Sequence, residues 1–240
     1  MFDGTAYHGW QLQKNSNTVQ AEINKALTKL TGEKINANGC GRTDAGVHAN
    51  EFFCNFKSKT KISNEKIISA LNSFLPNDIA VAACYDEEDN FHSSINAVKK
   101  EYIYKIHNSK IRNPFYEHYA QYYPFTIDEN LLNEAAKFFI GTHDFKGFMA
   151  SGSSIKSTVR TVCEASVKRE GDTVIFTVSG DGFLYNMVRI MAGTLLYIAN
   201  GKIDINDLPK LIESGKRDGL GPTAEPQGLY LNKVQYSIDN

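Results

Sequence analysis

Apolar periodicity switches repeatedly between the helical and the extended repeat along these 240 residues, with no low-complexity stretch separating the switches. In Ser16 to Gly32, the apolar side chains Val19, Ile23, Ala26, Leu27 and Leu30 recur at helical spacing. Ser16 or Asn17 can cap the start, and Gly32 suits the end. A second helix is predicted over Ser63 to Leu75, stopped by Pro76-Asn77-Asp78. Further helices are expected over Asp128 to Ile140, over the strongly apolar Phe183 to Ala199, and over Leu208 to Ser214. Extended runs fall at Lys34 to Asn38, Val47 to Phe56, Ile79 to Tyr85 and Lys99 to His107. Arg160 to Val178 reads as a hairpin turning at Glu170-Gly171-Asp172, and Leu229 to Tyr236 as a last strand.

Helices and strands interleaved in this way predict an α/β (α+β) protein. Two ferredoxin-like halves are expected, with largely antiparallel sheets flanked by helices. The halves are assigned to residues 1–107 and 108–240, with a junction across Asn108 to Tyr116 around Pro114. A sheet left open on one face is a natural platform for RNA.

Composition narrows the class. An apolar share of 42% and a charged share of 22% are those of an ordinary globular protein. The stretch Phe183 to Ala199 contains Asn186 and Arg189 and falls short of the roughly 20 apolar residues of a membrane span. The start, Met1-Phe2-Asp3-Gly4, has neither a basic segment nor an apolar run, so a cytoplasmic protein is expected. Cys40, Cys54, Cys84 and Cys163 form no CxxC pair and read as thiols. His8, His48, His92, His107, His118 and His143 form no metal-binding spacing, so structural or surface roles are expected and no metal site.

Net charge is −1, and residues 1–105 carry 12 of the 26 basic and 12 of the 27 acidic residues, so neither half announces a polyanion by bulk charge. An RNA surface would have to come from local clusters such as Lys57, Lys59 and Lys61, or Lys99 and Lys100. Acids such as Asp86 to Asp89 would then be held elsewhere.

Four segments can carry chemistry. Gly41-Arg42-Thr43-Asp44-Ala45-Gly46-Val47-His48 is bracketed by glycines that allow a tight bend, which can present Arg42 and Asp44 outward. A carboxylate ionised near neutral pH is a competent nucleophile. Taken locally, the plainer reading is a connecting turn in which Asp44 bonds its own backbone. Along Lys99 to Ile106, Tyr102, Tyr104 and Ile106 share one strand face; tyrosines beside lysines suit stacking on an unstacked base, although a half-buried strand looks the same. Arg189 lies on a largely apolar helix with Tyr185, Asn186, Ala192 and Gly193 as its neighbours. A structural ion pair is its default role, and the sharper one is counter-ion to a catalytic carboxylate. Phe2 to Gln11 reads as a turn with a packed Trp10.

In this order, the segments resemble the tRNA pseudouridine synthase A family. The resemblance is carried by Asp3-Gly4-Thr5, Tyr7, Gly9-Trp10-Gln11, the run Gly41 to His48, Leu75-Pro76 with Asp78-Ile79-Ala80, Phe91-His92, Tyr102 with Tyr104, Met187-Val188-Arg189, and Glu225 with Gly228-Leu229-Tyr230. It implies a cofactor-free isomerase that converts uridine to pseudouridine at positions 38–40 of the tRNA anticodon arm. By the same resemblance Asp44 is the nucleophile, Tyr102 stacks on the target base, Arg189 is the ion-pair partner of Asp44, and Arg42 helps hold the base out of the helix. A homodimer gripping one tRNA across both subunits is implied as well. The chain departs from the family pattern in starting directly at Met1-Phe2, where a preceding strand is usual, and in placing Glu101 where a basic residue is expected. Two other classes remain as alternatives. One is a catalytically inert RNA-binding module; the other is a glycoside or nucleoside hydrolase, which calls for a second carboxylate that is not found beside Asp44.

Overall fold

The computed structural model describes residues 1–152 and 155–237. The chain forms two compact units: Met1–Val98 together with the C-terminal stretch from Leu231, and Lys99–Tyr230.

The first unit is built on two helices. Helix α1 (Val19–Thr31) buries Val19, Ile23, Ala26 and Leu27, and Gly32 closes it in a left-handed conformation (φ +74°) with its N–H on the Thr28 carbonyl. Its cap is Thr18 rather than Ser16 or Asn17, because those two are engaged elsewhere. Ser16 pairs with Gln13, while the Asn17 carbonyl accepts the His8 N–H and its side chain donates to the Ala6 carbonyl. Short strands follow: β1 (Asn38–Gly39), β2 (His48–Ala49) and β3 (Cys54–Asn55), with β1 and β3 antiparallel. Helix α2 (Asn64–Phe74) packs Ile67 and Leu71 inward and gives way at Leu75, the residue before Pro76.

Three extended runs expected in this unit are shorter than their periodicity suggests. In two of them, side chains take the backbone groups that a neighbouring strand would otherwise use. Along 34–38, Thr28 Oγ1 accepts the Ile35 N–H and Asn24 Oδ1 accepts the Ala37 N–H. Along 79–85, only Ile79 bridges to Phe2, and Asn72 bonds both the N–H and the carbonyl of Val81. Along 47–56, the strand breaks where Asn50 and Glu51 both turn their N–H groups to the Leu231 carbonyl.

The second unit carries the longer strands. Strand β4 (Ala97–His107) leads into it, a short turn of 3-10 helix covers Pro114–Tyr116, and β5 (Gln121–Tyr122) runs parallel to the end of β4. Helix α3 (Glu129–Lys137) is capped by Asp128, whose carboxylate accepts from Asn130 and Leu131. Strand β6 (Gly141–Asp144) pairs with β7 (Val159–Glu170), which forms the expected hairpin with β8 (Thr173–Gly180) through Gly171 (φ +57°) and Asp172. Strand β8 pairs antiparallel with β4, Tyr104 opposite Phe176. Helix α4 (Met187–Ala199) is buried on nearly every side, α5 (Leu208–Ser214) follows, and β9 (Leu229–Tyr236) ends the described chain. Strands β5 and β6 escaped the sequence reading because two and four residues hold too few alternations to register.

The core of this unit lies on one face of the β4–β8–β7 ladder, where Tyr104, Phe176 and Val167 stand in a row and Phe139 closes on Phe176. Arg169, on the same face, binds α3 to the hairpin: Nε donates to Glu129 Oε2 at 2.9 Å, and Nη2 to Asn108 Oδ1 and the Ile127 carbonyl. The architecture is therefore a mixed α/β fold whose sheets are largely antiparallel and flanked by helices. Among the described residues no helix is long and apolar enough to cross a membrane.

Candidate active site

The Gly41 to His48 loop is held from the N-terminal segment. Trp10 N–H donates to the Thr43 carbonyl at 3.3 Å, Gly46 N–H to the Tyr7 carbonyl at 3.2 Å, and Val47 N–H closes a turn on the Asp44 carbonyl at 3.2 Å. The approach is close enough to require glycine on the supporting side. A β-carbon on Gly4 would lie 2.0 Å from the Val47 carbonyl oxygen, and one on Gly9 would lie 2.2 Å from that of Thr43. Gly46 itself has φ +77°. The buried His48 accepts the Gly4 N–H at its Nδ1 (3.1 Å), a structural role. Asp3 Oδ1 lies 3.1 Å from the same nitrogen.

Within this frame Thr43 points inward, Arg42 is exposed and Asp44 is half-buried. The Asp3-Gly4-Thr5 and Gly9-Trp10-Gln11 segments, legible as a packed turn, are thus the buttress of the aspartate loop. Trp10 is buried and stacks on Phe52, centroids 4.2 Å apart.

In the second unit, the segment that links β8 to α4 carries Phe183, which packs on Tyr102, and Asn186, which bonds Arg189. Tyr102 is half-buried and packs edge-to-face on Phe183, centroids 5.1 Å apart at 80°. Tyr104, on the same strand face, is a core residue with no exposure, and its hydroxyl lies 2.5 Å from Gln121 Oε1 and 2.7 Å from the Glu225 carbonyl. Burial pushes its pKa well up, so it stays neutral. Of the two tyrosines, only Tyr102 has ring surface left for a ligand.

Arg189 sits in the first turn of α4, where the helix dipole disfavours a cation. Oxygen acceptors offset this: Nε donates to the Ala224 carbonyl at 2.7 Å and Nη1 to Asn186 Oδ1 at 2.8 Å. Asn186 is the one non-glycine residue with positive φ (+61°) among the described residues. It ends the approach to α4, which is why the helix starts at Met187 rather than at Phe183. The Ala224 N–H in turn donates to the Arg189 carbonyl at 3.1 Å, and Gly193 and Gly221 let the two segments touch. Asn186 and the Ala224 carbonyl were missed as functional partners. Asn186 was detectable as a helix neighbour of Arg189, but nothing local pointed to Ala224.

The lysine clusters are less available than their spacing suggests. Lys99 Nζ lies 2.7 Å from Glu164 Oε1, which raises the lysine's pKa, and Lys57 Nζ lies 3.8 Å from Asp89 Oδ1. The acids of 86–89 are therefore not all held apart from the basic residues.

Arg42 and Asp44 thus share one loop of the first unit, and Tyr102 and Arg189 both belong to the second. The first unit holds an aspartate on a glycine-buttressed loop, and the second holds a half-buried tyrosine and an arginine with fixed oxygen acceptors. Comparison with known proteins is direct. The family described as tRNA pseudouridine synthase matches residues 1–96 and 135–237, and the chain belongs to that family. Proteins named tRNA pseudouridine synthase A are similar over nearly their whole length. The one from Thermoanaerobacter sp. (strain X514) is 48% identical over 237 residues, covering 98% of this chain and 96% of its own. Those of Acetivibrio thermocellus and Clostridium acetobutylicum are each 44% identical over 235 residues, with the same coverage.

Proposed function

We propose that this chain isomerises uridine to pseudouridine in the anticodon arm of tRNA, at positions 38–40, with Asp44 as the nucleophile. The observation that carries the proposal is the buttressed loop, which holds a half-buried Asp44 two residues from an exposed Arg42 in a chain of this family.

The chemistry balances without an external reagent. The glycosidic N1–C1′ bond breaks, the uracil turns, a C5–C1′ bond forms, and the hydrogen on C5 leaves as a proton while N1 gains one. The Asp44 carboxylate attacks either the sugar or the base ring and holds that fragment covalently while the uracil turns. Net oxidation state is unchanged, so no redox cofactor is required. The target base must first leave its stack, which costs a few kcal/mol and calls for a replacement partner. Tyr102 supplies the ring, and Arg42 helps to hold the base out. Arg189 is assigned as the cation that keeps Asp44 ionised in a partly dry site. The division of labour follows the two halves, an aspartate-bearing N-terminal one and an arginine-bearing C-terminal one.

A homodimer belongs to the same proposal. Ile111, Phe115 and Phe125 are 79%, 88% and 64% exposed within 15 residues of chain, and apolar side chains of this kind are ones that a second copy could cover. The cytoplasm is the expected compartment.

The test is release of tritium from tRNA labelled at uracil C5. Release by the purified protein is expected; its absence with intact RNA binding favours the inert RNA-binding module.

A further inference from the structure

Three segments that carry the family resemblance hold residues that the reaction above leaves unused: Gln11, Gly41 and His92. All converge on one cavity. A pocket of about 290 Å³ inside the first unit is lined by Trp10, Gln11, Gln20, Asn36, Asn38 and Arg42 among others, with His92 and Ser94 at its side. That volume is at the lower end of the range for small-ligand sites, roughly 300–1,000 Å³.

The wall is preorganised by a buried amide. Gln20 is 4% exposed, and its amide ties two lining side chains, Gln11 and Asn36, to the backbone of Leu12 and Ala37. Its Oε1 accepts from Gln11 Nε2 at 3.0 Å and from the Leu12 N–H at 2.7 Å. Its Nε2 donates to the Ala37 carbonyl at 2.7 Å, with Asn36 Oδ1 at 3.4 Å. Gly39 admits the Trp10 indole, since a β-carbon there would lie 2.5 Å from its Nε1.

What remains uncommitted is a set of donors and acceptors, one of them the cationic guanidinium of Arg42. Gln11 keeps Oε1, Asn36 keeps its NH₂ group, and the Asn38 side chain and the Arg42 guanidinium make no hydrogen bond within the described residues. His92 accepts the Ser94 N–H at Nδ1, which leaves Nε2–H as a donor. Amides that offer a donor and an acceptor side by side match the edge of a nucleobase. A phosphate would call for several cations, and Arg42 is the one lysine or arginine in the lining. Arg42 is also two residues from Asp44, so the pocket opens within about 7 Å of the aspartate along the loop. That is roughly two stacked nucleotide rises of about 3.4 Å.

From this we infer that the Gln11–Asn36–Asn38–Arg42–His92 pocket is a subsite for a single unpaired nucleobase flanking the target uridine, read through its hydrogen-bonding edge. The inference rests on the proposed function for the identity of the RNA. Position selection would then depend on a neighbouring base as well as on the uridine itself.

The test uses binding alone, in the Asp44→Ala background, so that turnover does not enter. Dissociation constants are measured for an anticodon-arm hairpin and for the same hairpin carrying an abasic nucleotide at each position flanking the target, one at a time. Asn38→Ala is the chosen variant because its side chain bonds nothing else, so folding should be intact; thermal unfolding checks this. Asn38→Ala is expected to weaken the intact arm about tenfold, the loss of one or two hydrogen bonds. One abasic arm should be weakened to a similar degree and be indifferent to Asn38→Ala. Unchanged binding of the intact arm overturns the inference. Equal weakening of every arm, including all the abasic ones, also overturns it, because the pocket would then grip sugar or phosphate. Absence of C5 tritium release by the parent protein, with this binding pattern intact, would count against the isomerase and leave the base subsite standing.

Discussion

Gly9 combines a left-handed backbone (φ +83°) with a carbonyl oxygen where a side chain would begin, and the carbonyl belongs to Thr43, next to the proposed nucleophile. Gly9→Ala must therefore strain the backbone and push the aspartate loop away. We expect a loss of about 2–4 kcal/mol in stability by denaturant unfolding, with a larger fractional loss of tritium release in the protein that remains folded. A neutral Gly9→Ala would contradict the buttress. The bend of the aspartate loop was legible from its bracketing glycines, whereas the role proposed for Asp44 came from the family resemblance. The loop's support was not legible, because Gly9 and Thr43 are 34 positions apart and no local pattern marks a non-local close approach. The same holds for Arg189. Its helix and its Asn186 neighbour could be read from spacing, whereas the carbonyl that fixes its Nε comes from Ala224.

Periodicity located every main helix to within a few residues and the 160–178 hairpin to its turn, since these elements bury one continuous apolar face. It overstated the strands of the first unit. Alternation reports where side chains point, and says nothing of whether Thr28, Asn24 or Asn72 will take the backbone groups that a strand partner needs. Helix α4 gives the sharpest element-level test. A β-carbon on Gly193 would stand 1.8 Å from the Pro222 carbonyl oxygen, two residues before Ala224. Gly193→Ala should cost about 1–3 kcal/mol by overpacking. It should also reduce turnover, because displacing the 222–224 segment removes the acceptor that presets Arg189. Thermal unfolding and tritium release, measured on the same preparation, check both expectations. Loss of stability with full activity would show that the Ala224 contact is only structural.

Molecule-wide, bulk charge carries little of the recognition. With a net charge of −1, and with Lys99 and Lys57 beside Glu164 and Asp89, the proposed function asks RNA binding to rest on shape, on base contacts and, in the proposed homodimer, on a surface assembled from two copies. Light scattering at micromolar concentration should therefore give about twice the 26.8 kDa chain mass, and a monomer at that concentration would remove the homodimer from the account. The central claim is narrower: a single carboxylate on a glycine-held loop breaks and remakes the bond to uracil. It is tested most directly by single-turnover release of C5 tritium from tRNA by Asp44→Ala, with RNA affinity measured alongside. The account predicts no release at saturating enzyme and tRNA binding within a few-fold of the parent. Release at the parent rate would contradict it.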